Sequence, residues 1–430
     1  MIRRLIVVSL VILLTCYGAT PFGLSLTAPS PRMIGVGMET PYGVSASGTS
    51  WGFQYATWAL AMPSALKTSL LTAGVNTIRL YVDPQPLATA ANDAAVISLL
   101  TSGPFVAITD LLASGFKKVI FDFHWQPSPS LTPGWGASDV IAITSTADTK
   151  FAQMVHVATV VAQQLVANYG DNVLFELFNE PPVAAAFTGV TWASQLQFYV
   201  NAVRAVAPTL KLIVSNMDLG DTGTFLSFNL SSYASDPNIF FSFHDYQPGA
   251  FTPQGGIGGQ GAGASYAQYL AVQFPPGTGG ETRTGTEATA AALVNADTST
   301  SSGQKSSFIT TINLLIDAYF NTPQNVAWLQ ARFAAAAAHT DAAGIPRYRL
   351  FKGENGSVGV QTSDNTRNYI SPAGGGGAPL ASRVTYYSAI GSELLALGIS
   401  GSIHTIEKKD AYSIVSGTNL VPEIAAVAFQ

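Results

Sequence analysis

The sequence predicts an α/β fold, a (β/α)8 TIM barrel with long rim-loop insertions, on three observations. Eight short β-rich runs follow residue 30, at 33–38, 76–82, 117–123, 172–178, 210–214, 238–243, 347–352 and 399–406. Between most of them lie longer segments whose apolar residues recur at three and four positions, clearest at 150–169, 192–206, 325–343 and 380–397. Polar residues fall late in the β-rich runs or just beyond them, as in NTIRLYVD, VIFDFHWQP, VLFELFNEPP, FFSFHDYQP and RLFKGENG. Repeated β-then-α alternation requires parallel neighbours joined by helical crossovers. An open, doubly wound sheet meets that requirement too, but closure brings all these strand ends onto one rim.

Taken in order, the chain opens with MIRRLIVVSLVILLTCYGATP: two arginines, an apolar run from Leu5 to Leu14, then small and polar residues before Pro21. That is the pattern of an export signal, and the run is short for a membrane span. We therefore expect a leader at residues 1–29 and a single catalytic domain over 30–430, secreted or periplasmic, with no other membrane association. Cys16, the only cysteine, falls inside the leader, so the mature domain needs no disulfides. Lipid anchoring at Cys16 is disfavoured by Thr15, which is not the usual small residue before such a cysteine.

Composition narrows the partners. With 47% hydrophobic residues, 10% charged residues and a net charge of −5 over 430 residues, the chain can bury a large core. No basic cluster exceeds short pairs such as Lys117 and Lys118, which excludes nucleic acid as a partner.

Within the barrel two carboxylates stand out. Glu180 ends the fourth β-rich run and Glu354 the seventh, so closure would bring them together across the rim. Two facing carboxylates can divide glycoside hydrolysis between them, one protonating the leaving oxygen and the other attacking the anomeric carbon. Glu176 shares a strand face with Glu180 and is expected lower in the barrel interior, without a chemical role.

The ordered set IRLYV, FDFH, FNEP, FHDY and KGENG resembles the cellulase-type family 5 glycoside hydrolases and their clan of retaining barrel enzymes, over about residues 33 to 426. The resemblance implies that Glu180 is the general acid/base, Glu354 the nucleophile, and Asn179 the side chain that holds the substrate 2-hydroxyl. It implies that Arg79, at the end of the second run, pairs with the nucleophile and keeps it ionised; an ion pair with Asp83 or Asp122 is the structural alternative. His124 would lie near the reacting sugar, and His244 and Tyr246 beside the two carboxylates. No metal and no cofactor are implied.

Two departures bear on substrate. The eighth run, GISGSIHTIEKKD, lacks the family's platform tryptophan and has His404 in roughly that place. Trp125 and Trp135, after the third run, are candidates for stacking on sugar rings, with loop packing the alternative. The Gly-, Thr- and Ser-rich stretch 249–304 reads as a long rim loop able to cover one end of the cleft and favour short oligosaccharides or chain ends. The expectation is a monomer that takes a polysaccharide or oligosaccharide and cleaves β-linked glucans. A β-mannanase or exo-acting enzyme on the same fold is the alternative, and a non-catalytic sugar-binding barrel is the rival from another class.

Overall fold

Alternation along a closed sheet sends every second side chain inward, and here the inward residues change character from floor to rim. The computed structural model describes residues 32–39, 62–124, 149–182, 190–255, 265–359, 377–406, 412, 414–416 and 419–429. Eight parallel strands close in chain order: β1 Ile34–Glu39, β2 Thr77–Val82, β3 Lys118–Phe123, β4 Val173–Glu176, β5 Lys211–Ser215, β6 Ile239–His244, β7 Leu350–Glu354 and β8 Ser400–Ile403. β8 pairs back onto β1 with Ile34 opposite Gly401, which completes the barrel. The predicted TIM barrel is the fold observed.

The helices follow from amphipathic segments with local caps. α1 Ser64–Thr72, α2 Asp93–Ser102, α3 Pro104–Ala113, α4 Thr149–Tyr169 and α5 Trp192–Val206 connect the first five strands. Then α6 Arg283–Ala296, α7 Ser302–Asn321 and α8 Val326–Ala342 lie between β6 and β7, α9 Leu380–Leu397 between β7 and β8, and α10 Pro422–Ala428 after β8. At α5 the Thr191 hydroxyl accepts from the Ser194 N–H and the Ser194 hydroxyl returns a bond, satisfying helix-terminal groups that otherwise have no partner.

Stretch 249–304, expected to be irregular, is largely ordered. It holds the short helical turn Ser265–Tyr269, all of α6 and the first turn of α7. The run EATAAALVNA has enough alanine and leucine to propagate a helix. Thr282 caps α6, and Ser301 with Gln304 forms a capping box on α7. The glycine-rich 256–264 lies outside the described residues.

Three strands differ from expectation, and of these β8 stops at Ile403, three residues short of its predicted end. Residues 347–349 form a turn rather than the start of β7, since the Arg349 guanidinium folds back onto the carbonyls of Tyr233, Ala234, Asp236 and Ile239. β7 thus begins at Leu350 and reaches Glu354. β4 ends at Glu176, two residues short of its predicted end, yet the Asn179 N–H still bonds the Phe123 carbonyl at 2.9 Å and keeps the chain beside β3.

Register sets the interior levels. The floor is apolar, a buried cluster of Met33, Ile120, Leu174, Ile213, Phe240 and Phe351. Strand pairing advances round a closed, staggered barrel so that alternate strands contribute four side chains to each layer. Above the floor, Arg79, Glu176, Ser242 and Ser402 from the even strands share one layer. Gly37, Asp122, Ser215 and Gly353 from the odd strands form the next. Both glycines make room: a Cβ on Gly37 would overlap the Tyr81 hydroxyl, and one on Gly353 would lie 2.6 Å from His244 Nε2.

Candidate active site

Strand ends deliver the polar side chains to one rim, and Arg79 organises them from below. Its Nη1 lies 2.5 Å from Glu354 Oε1, its Nε 2.6 Å from Glu176 Oε2, and its Nη2 2.7 Å from Asn179 Oδ1 and 3.0 Å from Asp122 Oδ2. A guanidinium is a planar, donor-only fork, so these contacts fix where each acceptor points. Arg79 is third of six residues in β2, not at its end, and it is wholly buried. It therefore reaches Glu354 and Asn179 from beneath the rim, through its hydrogen bonds to both. Both earlier pairings for Arg79 hold at once, with Glu354 and with Asp122.

The same fork settles a chain of protons. Because Arg79 only donates, Oδ1 of Asn179 faces it and Nδ2 faces His124 Nε2 at 3.3 Å. His124 Nε2 must then accept, which leaves the ring hydrogen on Nδ1, donated to Asp122 Oδ2 at 2.7 Å. A neutral ring is what the surroundings favour, since burial above all pushes the His124 pKa down to about 3. Asn179 keeps a second N–H beyond the one that faces His124.

The two carboxylates meet as the sequence implied. One oxygen of Glu180, one oxygen of Glu354 and a ring nitrogen of His244 all lie within 4.8 Å of one another. Retaining glycosidases hold their two carboxyl groups roughly 5 to 5.5 Å apart, and inverting ones about 6.5 to 9.5 Å. Glu354 is buried, its side chain 4% exposed, while that of Glu180 is 29% exposed. His244 Nδ1 is 2.9 Å from Glu180 Oε1, and the Tyr246 hydroxyl donates to Glu354 Oε2 at 2.8 Å. Asp245, between them in sequence, turns outward to Arg332 at 2.8 Å and Thr222 at 2.6 Å, so its neighbours are held inward.

Charge sets these environments apart. Burial alone would raise the Glu354 pKa, but the basic groups round it, His244 and His404 when protonated and Arg79 always, outweigh burial and hold the carboxyl well below the usual range. Arg79 is the one of these that stays charged at every working pH. Burial raises Glu176, and pushes Asp122 up to about 7 against the pull of Arg79. Tyr246 is raised well above an ordinary tyrosine, by burial first and by the Glu354 charge second, so it remains a donor.

His404 stands one residue past β8. Its Nδ1 is 2.9 Å from the Tyr81 hydroxyl and 3.8 Å from Glu354 Oε2. Tyr81 stacks between His404 and His124, with ring centroids at 5.6 and 4.2 Å. Tyr412 packs edge-on against Tyr246 and His404 at 5.3 and 5.9 Å. Trp125 and Trp135 lie outside the described residues. Sequence reasoning gave Glu176 no role and passed over Tyr81 and Tyr412, and it named Asp122 only as an ion-pair alternative. Strand alternation from Arg79 and His124 points to Tyr81 and Asp122, whereas nothing local marks Tyr412.

A family model, cellulase (glycosyl hydrolase family 5), matches residues 37–346, more than half of the chain. The chain belongs to glycosyl hydrolase family 5. Among family-like relatives, endoglucanase 3 of Fibrobacter succinogenes is 29% identical over 118 residues, 27% of this chain and only 16% of that protein. Among solved structures, the cellulose synthase subunit Z of Clostridioides difficile aligns over 93% of this chain and 100% of its own, with TM-score 0.59 and 14% identity. Cel5A of Thermotoga maritima in complex with cellobiose aligns over 92% and 97%, with TM-score 0.59 and 12% identity. At such identities the structural likeness bears on the fold alone, and the family 5 barrel is the fold it supports.

Proposed function

We propose that the protein is a retaining β-glycosidase that cleaves β-linked glucans by double displacement. The observation that carries this reading is the close approach of Glu180 and Glu354, with the buried Arg79 on one of them alone. Glu354, ionised beside Arg79 and Tyr246, attacks the anomeric carbon while Glu180 gives its proton to the departing oxygen. The glycosyl–enzyme ester then spends the negative charge of Glu354. Glu180, now ionised, takes a proton from water as that water attacks the same carbon, which frees Glu354 and restores both carboxyls. Asn179, presented by Arg79 and His124, offers its remaining N–H to the 2-hydroxyl, a contact that strengthens as positive charge develops on the ring.

Glucan as substrate is supported by the cellulase family model and by the fold neighbour solved with cellobiose. The same Thermotoga maritima protein has been solved with mannotriose, with TM-score 0.58 to this chain, so a mannan substrate is the alternative. A non-catalytic sugar binder would have no need of the carboxyl pair together with Arg79 and Tyr246. Export is supported by the N-terminal segment, and among the described residues no single helix is long and apolar enough to cross a membrane.

Proton NMR of the first product released from β-linked gluco- and manno-oligosaccharides tests the proposal. The β-anomer should appear first and mutarotate later. Initial α-anomer would mean inversion, and no product from any β-glycoside would remove the enzymatic reading.

A further inference from the structure

Four polar atoms inside the barrel have no hydrogen-bond partner among the described residues: Asp122 Oδ1, Glu176 Oε1, Ser242 Oγ and His244 Nε2. None of the four residues is more than 3% exposed. Register brings them together. Glu176 and Ser242 share one interior layer, Asp122 lies in the layer above, and His244 is two residues past Ser242 on the same face of β6. Ser242 Oγ and His244 Nε2 flank one spot, since a Cβ on Gly353 would lie 2.5 Å from the first and 2.6 Å from the second. Buried polar atoms are rarely left unpaired, and an interior water with about three partners is the common way to satisfy such a group.

We propose that an ordered water sits in the barrel interior between Glu176, Ser242 and His244, and fixes the His244 tautomer that presents Nδ1–H to Glu180. The inference rests on the acid/base role proposed for Glu180. That residue must deliver its proton from the oxygen that faces the cleft, so Oε1, 2.9 Å from His244 Nδ1, has to accept in both halves of the cycle. His244 Nδ1 must then carry the hydrogen. A neutral imidazole has one N–H, which makes Nε2 an acceptor in need of a donor. Neither Glu176 Oε1 nor Ser242 Oγ bonds His244 Nε2 directly, since all three atoms lack a partner. A water that accepts from the Ser242 hydroxyl and donates to His244 Nε2 and Glu176 Oε1 satisfies three of the four atoms. In the opposite tautomer the bare Nδ1 would face the Glu180 carboxylate once its proton had gone. Ser242 and Glu176 are thereby positioning residues, acting on the acid/base through His244.

Two readouts test this. A high-resolution crystal structure of the intact protein should show a water within hydrogen-bond distance of His244 Nε2, Ser242 Oγ and Glu176 Oε1, and a dry interior there overturns the site. Ser242→Ala should lower kcat/KM about tenfold on unactivated β-glycosides, a part of the 10²–10⁴ that acid catalysis supplies. Aryl glycosides with good leaving groups, which need little acid assistance, should stay within about twofold. An equal fall on both substrates, or no fall on either, overturns the positioning role. If the wild-type protein hydrolyses no β-glycoside, the acid/base assignment fails and the water's catalytic role with it, while the crystal structure separately decides whether the water is there.

Discussion

Arg79 of β2 and Glu354 of β7 meet across the barrel at 2.5 Å, and the same guanidinium holds Asn179, the residue before Glu180, at 2.7 Å. One rigid fork therefore sets both the charge of Glu354, the proposed nucleophile, and the place of the segment that carries Glu180, the proposed acid/base. Lysine keeps the charge but not the fork. Arg79→Lys should lower kcat/KM by about 100-fold and move the acidic limb of the pH–rate profile up by roughly 1 unit, because one ammonium on a shorter stem cannot hold Glu354, Glu176 and Asn179 at once. Stability should fall by about 3 kcal/mol as buried carboxylates lose partners. A lower melting temperature with an unmoved acidic limb would make Arg79 structural only.

Removing the acid should discriminate between leaving groups. Glu180→Ala should slow unactivated substrates by about 10² to 10⁴ and spare activated aryl glycosides in the first step. Azide should then restore turnover and give a β-glycosyl azide. Equal loss on both substrates without azide rescue would reverse or remove the assignment.

Tyr246 tests the hydrogen bond to Glu354, the proposed nucleophile. Its hydroxyl favours the charged form of Glu354, so Tyr246→Phe should raise the Glu354 pKa and shift the acidic limb upward. A bond to a charged group is worth about 1.5–3 kcal/mol, which corresponds to a fall in kcat of about tenfold or more. Unchanged kinetics would place Tyr246 in rim packing with Val358 and Tyr412, which it also contacts.

Asp122 makes a stability prediction with a defined sign. Burial lifts its pKa from 3.8 to about 7, so the folded state binds a proton that the unfolded state has released between those values. Its contribution is complete below the unfolded pKa and is lost as pH rises through about 7. The stability of the wild type minus that of Asp122→Asn should therefore decline across that window in denaturant titrations. A flat difference would show that Asp122 is ionised throughout.

Much of the site was legible because strand ends are short-range features. Glu180, Glu354, His244 and Tyr246 each stand beside an apolar β-rich run, and alternation with a closed topology suffices to converge them. What lay beyond reach depends on register and on distant chain. That Arg79 sits below the rim, shared among Glu354, Glu176, Asp122 and Asn179, follows from the level at which β2 meets β3 and β4. The order in 249–304 was hidden because Thr and Ser act as helix caps at Thr282 and Ser301, whereas in composition they read as loop. Tyr412 reaches Tyr246 from a segment with no periodicity of its own.

Retention through Glu354 requires a covalent ester on that side chain. Incubation with a 2-deoxy-2-fluoro β-glucoside or β-cellobioside carrying a good leaving group should inactivate the protein with time, because the fluorine slows breakdown of the ester more than entry through the activated leaving group. Mass spectrometry of the digested protein should then place one glycosyl mass on the peptide that contains Glu354, with Glu354→Gln unlabelled. A label on the Glu180 peptide, or turnover of the unmodified substrate without any label being trapped, would contradict Glu354 as the nucleophile.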